Sequence, residues 1–244
     1  MSNPIPVRTL SGVSAPGVSV SVVIPTLNER GVLERALGCT QAEGVERIVV
    51  DGGSIDDTAN TARSLGAERV LHSAPGRAQQ MNVGYRAASG DVIVFLHADT
   101  QLDPGWLTAL RTALQDPGVA GGAFGLRFAS QRRIYRFIEL GVWLRTRLGG
   151  LPYGDQALFV RRAVLDAKGG IPLVPIFEDL DLVRLIRASG RMVFLPERAR
   201  TSPRRYEASG VLRTWMRNTL ALLAYLLDLD RERVLRWYRR RPER

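Results

Sequence analysis

Three carboxylates stand just past stretches that read as strands: Glu29 after 19–24, Asp51 after 46–50 and Asp99 after 92–96. The last stretch, Val92-Ile93-Val94-Phe95-Leu96, is an unbroken apolar run bounded by Gly90-Asp91 and Asp103-Pro104-Gly105. That is the pattern of a central parallel strand covered on both faces. Polar groups at the carboxyl end of such a strand lie in the crevice where α/β proteins bind ligands, which puts His97 and Asp99 there. In a parallel sheet all three acids point into one crevice. Carboxylates sharing a site repel unless a cation lies between them or each has its own donor. A divalent cation, Mn²⁺ or Mg²⁺, shared with phosphate oxygens would meet that need at Asp99. Asp99 has no helix to cap, because Asp103-Pro104 supplies the next helix start. Asp56 and Asp57, followed by Thr58, read instead as a helix start.

Two familiar phosphate cradles are absent. The first turn is Pro25-Thr26-Leu27-Asn28-Glu29, with no Gly-x-Gly-x-x-Gly, and there is no Walker A loop. Phosphate would therefore be met by a metal and by arginine. The chain of 244 residues carries 34 basic and 24 acidic side chains, net +10, and Lys168 is its only lysine. An Arg-rich surface suits phosphates, carboxylates and anionic partners generally. A single cysteine, Cys39, excludes an internal disulfide framework and reads as a small core residue.

The elements that must position these groups follow from periodicity. Residues 1–18 form a loose tail without a secretory signal. Strand 19–24 stops at Pro25; Thr26 or Asn28 caps a helix over 29–37. Strands 46–50 and 69–72, a helix over 76–88, the central strand, a helix over 104–114 and a strand over 119–128 come next. The order β-α-β-α-β-α-β implies a doubly wound, mostly parallel sheet with helices on both faces. Beyond it are a basic amphipathic helix over 132–148, a Gly-rich loop over 149–154 and a strand over 155–161. A helix opening at Glu178-Asp179, a short strand over 192–195 and a basic-aromatic loop over 201–206 follow. Apolar and basic helices over 210–228 and 231–241 end the chain. The domain parse is a tail over 1–18, an α/β domain over 19–207 and amphipathic helices over 208–244. The longest apolar run, 220–227, is far short of the ~20 residues that a membrane span needs, so a cytoplasmic protein is expected. For the basic helices two readings stand: packing of an apolar stripe, or docking at the inner face of an anionic membrane.

Several stretches, in this order, resemble glycosyltransferase family 2. They are Ile24-Pro25-Thr26-Leu27-Asn28-Glu29, Val49-Val50-Asp51-Gly52-Gly53-Ser54, Asn82-Val83-Gly84, Leu96-His97-Ala98-Asp99 and Glu178-Asp179, within residues 19–205. Leu96-His97-Ala98-Asp99-Thr100, Pro152-Tyr153-Gly154-Asp155-Gln156 and Arg77-Ala78-Gln79-Gln80-Met81-Asn82 are similar to a bacterial subgroup associated with arsenosugar or carotenoid-type glycosylation. The resemblance implies the GT-A fold, a nucleotide-diphosphate sugar as donor, a divalent cation and an alcohol acceptor, lipid-linked acceptors included. It also implies roles. Pro25, Asn28 and Glu29 match the nucleotide-contacting turn, and Asp51 the acid that meets the base, usually uracil. Arg77 and Asn82 match the nucleotide-contacting helix. Asp99 matches the metal-binding last acid of Asp-x-Asp, and Asp179 the catalytic base. His97 replaces the first acid of Asp-x-Asp; a neutral imidazole can hydrogen-bond a ribose or ligate Mn²⁺, but suits Mg²⁺ poorly.

The chemistry implied is direct displacement: a carboxylate takes the proton of an acceptor hydroxyl as it attacks the anomeric carbon. Glu178 either orients Asp179 or caps the helix. Asp181 reads as solvated or ion-paired. Asp155 and Gln156 either line the acceptor site or make a strand-leading turn. Arg204 and Arg205 either meet the diphosphate or form a solvated charge run. The competing class is a non-catalytic protein that binds nucleic acid or an anionic surface through its charge. It leaves the acids at the strand ends unexplained.

Overall fold

The computed structural model describes residues 17–239, so the tail expected over 1–18 falls almost wholly outside them. Val- and Ile-rich segments form β1 (Val20–Thr26), β2 (Val45–Asp51) and β4 (Val92–Phe95), and the short, more exposed Arg-Val-Leu-His forms β3 (Arg69–His72). They lie parallel in the order β3-β2-β1-β4. Helices α1 (Leu33–Cys39), α2 (Thr58–Ser64) and α3 (Arg77–Ala87) make the crossovers. Alternation along β1 divides the core: Val22 and Ile24 join Val49, Val94 and Leu96 on one face, Val23 joins Ile48, Val50 and Phe95 on the other. Gly84 lets α3 lie close on β1, since a Cβ there would run into Cγ1 of Val23.

Beyond β4 the sheet becomes mixed. β5 (Thr100–Leu102), β6 (Val119–Phe128), β7 (Leu158–Arg161) and β8 (Arg191–Thr201) complete one eight-stranded sheet in the order β3-β2-β1-β4-β7-β6-β8-β5. β7 is antiparallel to β4 and β6, and β5 to β8, while β6 and β8 are parallel. The remaining helices are α4 (Trp106–Ala113), α5 (Arg133–Leu144), α6 (Arg162–Asp166), α7 (Glu178–Ser189), α8 (Arg204–Ser209), α9 (Val211–Leu226) and α10 (Arg231–Arg239). The expected α/β class with helices flanking the sheet holds.

Several boundaries differ from expectation for physical reasons. β1 continues through Pro25. Its pairing with β4 is made by the carbonyls of Ser19 and Val23, so Pro25, in phase with them, turns its missing N–H past the end of β4. The first helix starts at Leu33, not 29, and neither Thr26 nor Asn28 caps it. Residues expected to begin a strand at 155 instead form a 3₁₀ turn, Gly154–Gln156, before β7. The last strand is much longer than 192–195, because Leu195, Ala199 and Thr201 alternate inward beneath charged neighbours. The loop expected over 201–206 closes into α8 at Arg204. The helix over 132–148 ends at Leu144 and passes into a π-helical turn, Arg145–Gly149. The short β5 and α6 were not expected.

Two smaller clusters attach the later helices. Tyr135 and Ile138 of α5 pack on Leu126 and Phe128 of β6, with Val142, Tyr206 and Val211 around them. Ala221, Ala224 and Tyr225 of α9, with Val234 of α10, pack on Phe177 and Leu180. Among the described residues no helix is long and apolar enough to cross a membrane.

Candidate active site

The ends of β1 and β2 are tied together before any ligand arrives. The Gln80 side chain on α3 donates from Nε2 to the carbonyls of Thr26 (2.7 Å) and Val50 (2.9 Å). Asn28 sits at φ 56°, a left-handed conformation that Asn tolerates. Its backbone N–H donates to Ser54 Oγ at 2.8 Å, and its Oδ1 accepts from the Ile55 N–H at 2.9 Å. Ser54 in turn donates to the buried Asp51 carboxylate through its hydroxyl, and through its N–H at 3.1 Å. His72 Nδ1 lies 3.5 Å from the same carboxylate. Asp51, Asn28 and Pro25 are thereby fixed at the rim of two adjacent strands.

The repulsion expected between strand-end acids is resolved by Arg204. Its Nε lies 3.1 Å from Asp99 Oδ2, and its Nη2 donates to Glu29 Oε2 at 2.6 Å. One guanidinium thus bridges acids from the ends of β1 and β4, and the pairing raises the arginine's own pKa. Among the described residues no three of His, Cys, Asp and Glu converge as a ready-made metal cage. Asp99 supplies one carboxylate, its Oδ2 on Arg204 and its Oδ1 met only by Thr201 Oγ1 at 3.5 Å. That donor set fits a cation held by one protein carboxylate with substrate oxygens completing the shell, the usual arrangement for Mg²⁺-type sites at phosphates.

The neighbouring cavity, about 770 Å³, is lined by Arg77, His97, Tyr153, Asp155, Glu178 and Asp179, with Arg205 at its edge. Asn218 of α9 and Tyr238 of α10 line its far side. Arg77, at the start of α3, touches His97 Nε2 through Nη2 and lies 3.3 Å from Glu178 Oε1 through Nε. His97 Nε2 therefore accepts, and the proton is assigned to Nδ1. Burial, then the charges of Arg77, Arg205 and Arg204, push its pKa well below the ordinary imidazole value, so the ring is neutral. Asp179 Oδ2 accepts from the Gly154 N–H at 2.8 Å, and Oδ1 from its own helix's Leu180 N–H at 2.8 Å. Asp155 has a buried Oδ1 with no partner. Burial raises its pKa, Arg145 opposes and Asp179 adds to the rise. Glu178 is raised the same way, by burial first, with Arg77 opposing.

The start of α7 is held under strain. Phe177, immediately before Glu178, has φ 73°, costly for a bulky residue at about 1–3 kcal/mol. Its ring packs edge-on against Tyr225 of α9, centroids 5.2 Å apart. Tyr225 also donates to Asp181 Oδ1 at 3.0 Å, and Arg231 Nη2 reaches the same oxygen at 3.0 Å. Asp181 is thus ion-paired, and α9 and α10 lock the helix that carries Glu178 and Asp179.

Two residues expected in the site are not brought to it. The buried Asn82 amide donates to the Ile171 carbonyl at 2.7 Å and accepts from the Ile171 N–H at 2.9 Å, clamping the loop after α6. The buried Gln156 donates to the Phe124 carbonyl at 3.1 Å and accepts from Thr146 Oγ1 at 3.1 Å. Both amides are spent on the fold. Conversely, Gln80, Ser54, Tyr153 and Arg145 were missed. The Arg145 guanidinium lies 3.6 Å from the Tyr153 ring centroid, on the cavity wall. An aromatic beside glycines in a loop was the one visible signal for Tyr153.

The family model described as glycosyl transferase family 2 matches residues 21–161. An uncharacterized glycosyltransferase of Mycobacterium bovis is 37% identical over 94 residues, covering 38% of this chain and 43% of that protein. The undecaprenyl-phosphate 4-deoxy-4-formamido-L-arabinose transferase of Pseudomonas savastanoi pv. phaseolicola is 31% identical over 166 residues, covering 61% of this chain and 49% of that protein. The chain thus spans about half the length of these relatives or less. Glucosyl-3-phosphoglycerate synthase from Mycobacterium tuberculosis, solved with Mn²⁺, UDP and glucosyl-3-phosphoglycerate, superposes with a TM-score of 0.59 at 24% identity, covering 88% of this chain and 81% of that one.

Proposed function

The chain belongs to glycosyl transferase family 2, with the α/β architecture of the GT-A enzymes, and from that premise we propose that it transfers a sugar from a nucleotide-diphosphate donor, UDP-linked, to the hydroxyl of an alcohol acceptor with inversion. The observation that carries the reading is Asp179. It stands on the cavity wall with both oxygens oriented by backbone N–H groups, beside the cationic side chains Arg77 and Arg205.

In this reading the base and ribose lie along the tied ends of β1 and β2, against Pro25, Asn28 and Asp51. Arg77, Arg204 and Arg205 face the diphosphate, where guanidinium groups pair well with phosphate oxygens. Neutral His97, held by Arg77, donates from Nδ1 to a donor oxygen. Asp99 is the residue that would hold a divalent cation, which when bound offsets charge on the departing diphosphate. The acceptor enters the cavity bounded by α7, α9 and α10, so α9 and α10 serve as its wall. Its hydroxyl oxygen attacks the anomeric carbon while Asp179 takes the proton. The bond from that carbon to the phosphate oxygen breaks, and the nucleoside diphosphate leaves with the electron pair. Glu178 positions Arg77, and Asp155 meets a polar group of the acceptor or sugar with its unpartnered oxygen. The likeness to a synthase solved with UDP-glucose and to a transferase named for undecaprenyl phosphate supports the donor class and is compatible with a lipid-linked acceptor; both properties belong to those proteins.

The test is calorimetric titration of the full chain with UDP-, GDP- and dTDP-sugars in Mn²⁺, Mg²⁺ or EDTA, with donor hydrolysis measured in parallel. One donor is expected to bind and hydrolyse slowly, more weakly in EDTA. If no nucleotide sugar binds under any condition, the reading is wrong.

A further inference from the structure

Helices α5 and α9 are apolar on both sides. Facing inward, α5 presents Tyr135 and Ile138 to the β6 cluster, and α9 presents Ala221, Ala224 and Tyr225 to the α7 cluster. Facing outward, α5 carries Ile134, Phe137, Leu140 and Leu144, a spacing of three and four residues along one exposed stripe. Phe137 is 71% exposed. On α9 the outward stripe is Leu212, Trp215, Met216, Leu220 and Leu223, continued by Leu227 just past the helix end, at the same helical period, with Leu212 67% exposed. A helix that only packs on a core turns a polar face to water. These two do not.

The two stripes are neighbours. Val211, at the start of α9, joins the cluster beneath Ile138 and Val142 of α5. Farther along, Tyr153 lies under Arg145 of the turn that continues α5, and its hydroxyl reaches the Asn218 carbonyl of α9 at 3.4 Å. On the two helices themselves the exposed charge is all basic, while exposed Glu207 precedes α9 and exposed Asp228, Asp230 and Glu232 follow it. The α9 sequence contains no carboxylate. The only one on α5, Glu139, is buried and taken by Arg136 and by the Phe128 N–H. Exposed Arg132, Arg133, Arg147, Arg213 and Arg236 flank the stripes, with Trp143, Trp215 and Trp237 among them.

We infer that the outward faces of α5 and α9 dock this protein on an acidic phospholipid bilayer. Apolar stripes with tryptophan and arginine at their borders lie in the headgroup layer, leucines and phenylalanine below it and guanidinium groups level with lipid phosphates. A second copy of the chain is disfavoured as the occupant because pairing these faces would bring two arginine rims together. The surface follows from the helices alone. Its use in transfer rests on the reading above: α9 has Asn218 and Ala221 on the cavity and the docking stripe on its opposite side, one helix diameter of ~10 Å away.

The full chain is sedimented with vesicles of phosphatidylcholine alone, or with about one-third phosphatidylglycerol, at low and high salt. Binding is expected only to the acidic vesicles, weakening as salt rises. Phe137→Glu combined with Leu223→Glu should weaken partitioning by at least ~10-fold, leaving donor binding unchanged. The unmutated protein gives a second reading: brominated acidic lipid should quench Trp143 and Trp215. Absence of both sedimentation and quenching overturns the inference. So does a folded double variant that binds vesicles as the parent does, or light scattering that shows a parent dimer which the double variant breaks.

Discussion

The two sides of the crevice solve the same electrostatic problem differently. On the strand-end side every acid has a partner: Asp51 has Ser54, while Glu29 and Asp99 share Arg204. On the α7 side the pairing is incomplete, although Asp179 and Glu178 have partners. Asp155 keeps an orphan oxygen, and the pKa values of Asp155 and Glu178 are raised by burial. Satisfied groups favour a fixed geometry, whereas unsatisfied ones carry a cost that a ligand can relieve. In the proposed reading the first side is a preformed donor rim and the second the place where the chemistry is incomplete without substrate.

The largest effect should come from Asp179→Asn, which keeps the shape and removes the proton acceptor. Turnover should fall by roughly 10²–10⁴-fold with donor affinity unchanged in calorimetry. Loss of donor affinity instead would move Asp179 to the donor side. Next, Asn82→Ala strands the buried Ile171 N–H and carbonyl, costing about 2–3 kcal/mol and lowering Tm in a thermal melt, while donor affinity holds. An affinity loss without destabilisation would return Asn82 to the nucleotide.

Arg204→Ala leaves Glu29 and Asp99 without their shared cation. Donor affinity should drop about 10-fold, or about 1.4 kcal/mol, by titration calorimetry. The smallest effects concern pH. A carboxyl whose folded pKa is raised costs stability as pH rises above its unfolded value of about 3.9 through the folded value. Asp155→Asn should therefore raise Tm at neutral pH, with the gain vanishing in acid, although activity falls. For His97 the folded pKa is lowered, so its cost appears as pH falls below about 6.5. His97→Gln should flatten the loss of Tm between about pH 7 and pH 5. If it steepens that loss, the ring is charged in the folded state.

Much of the first half was legible because β1, β2 and β4 are buried Val/Ile runs and each crossover is a short helix. Strands Arg69–His72 and Val119–Phe128 match the expected bounds; Glu29 and Asp99 lie past β1 and β4, while Asp51 is the last residue of β2. The second half was not, because its signals conflict locally. β8 hides an inward alternation of Leu195, Ala199 and Thr201 between exposed Arg198 and Arg200, and α5 and α9 are apolar on faces that no core covers. Asn82 and Gln156 sit within motifs that suggested a ligand, yet backbone groups far along the chain claim their amides.

The sequence by itself determined the chemistry available: acids after strands, Asp179 at a helix start, an arginine-rich surface and amphipathic carboxy-terminal helices. Only the tertiary structure decided which of those groups are spent and which are free. Arg204 and Glu29 are 175 residues apart, and Asp179 takes its hydrogen bond from Gly154, 25 residues back. Local periodicity reports which face of an element is apolar, and nothing about which polar group from a distant element will meet it. That pairing is set when the sheet closes and the helices pack, and here it separates a satisfied rim from an unsatisfied cavity.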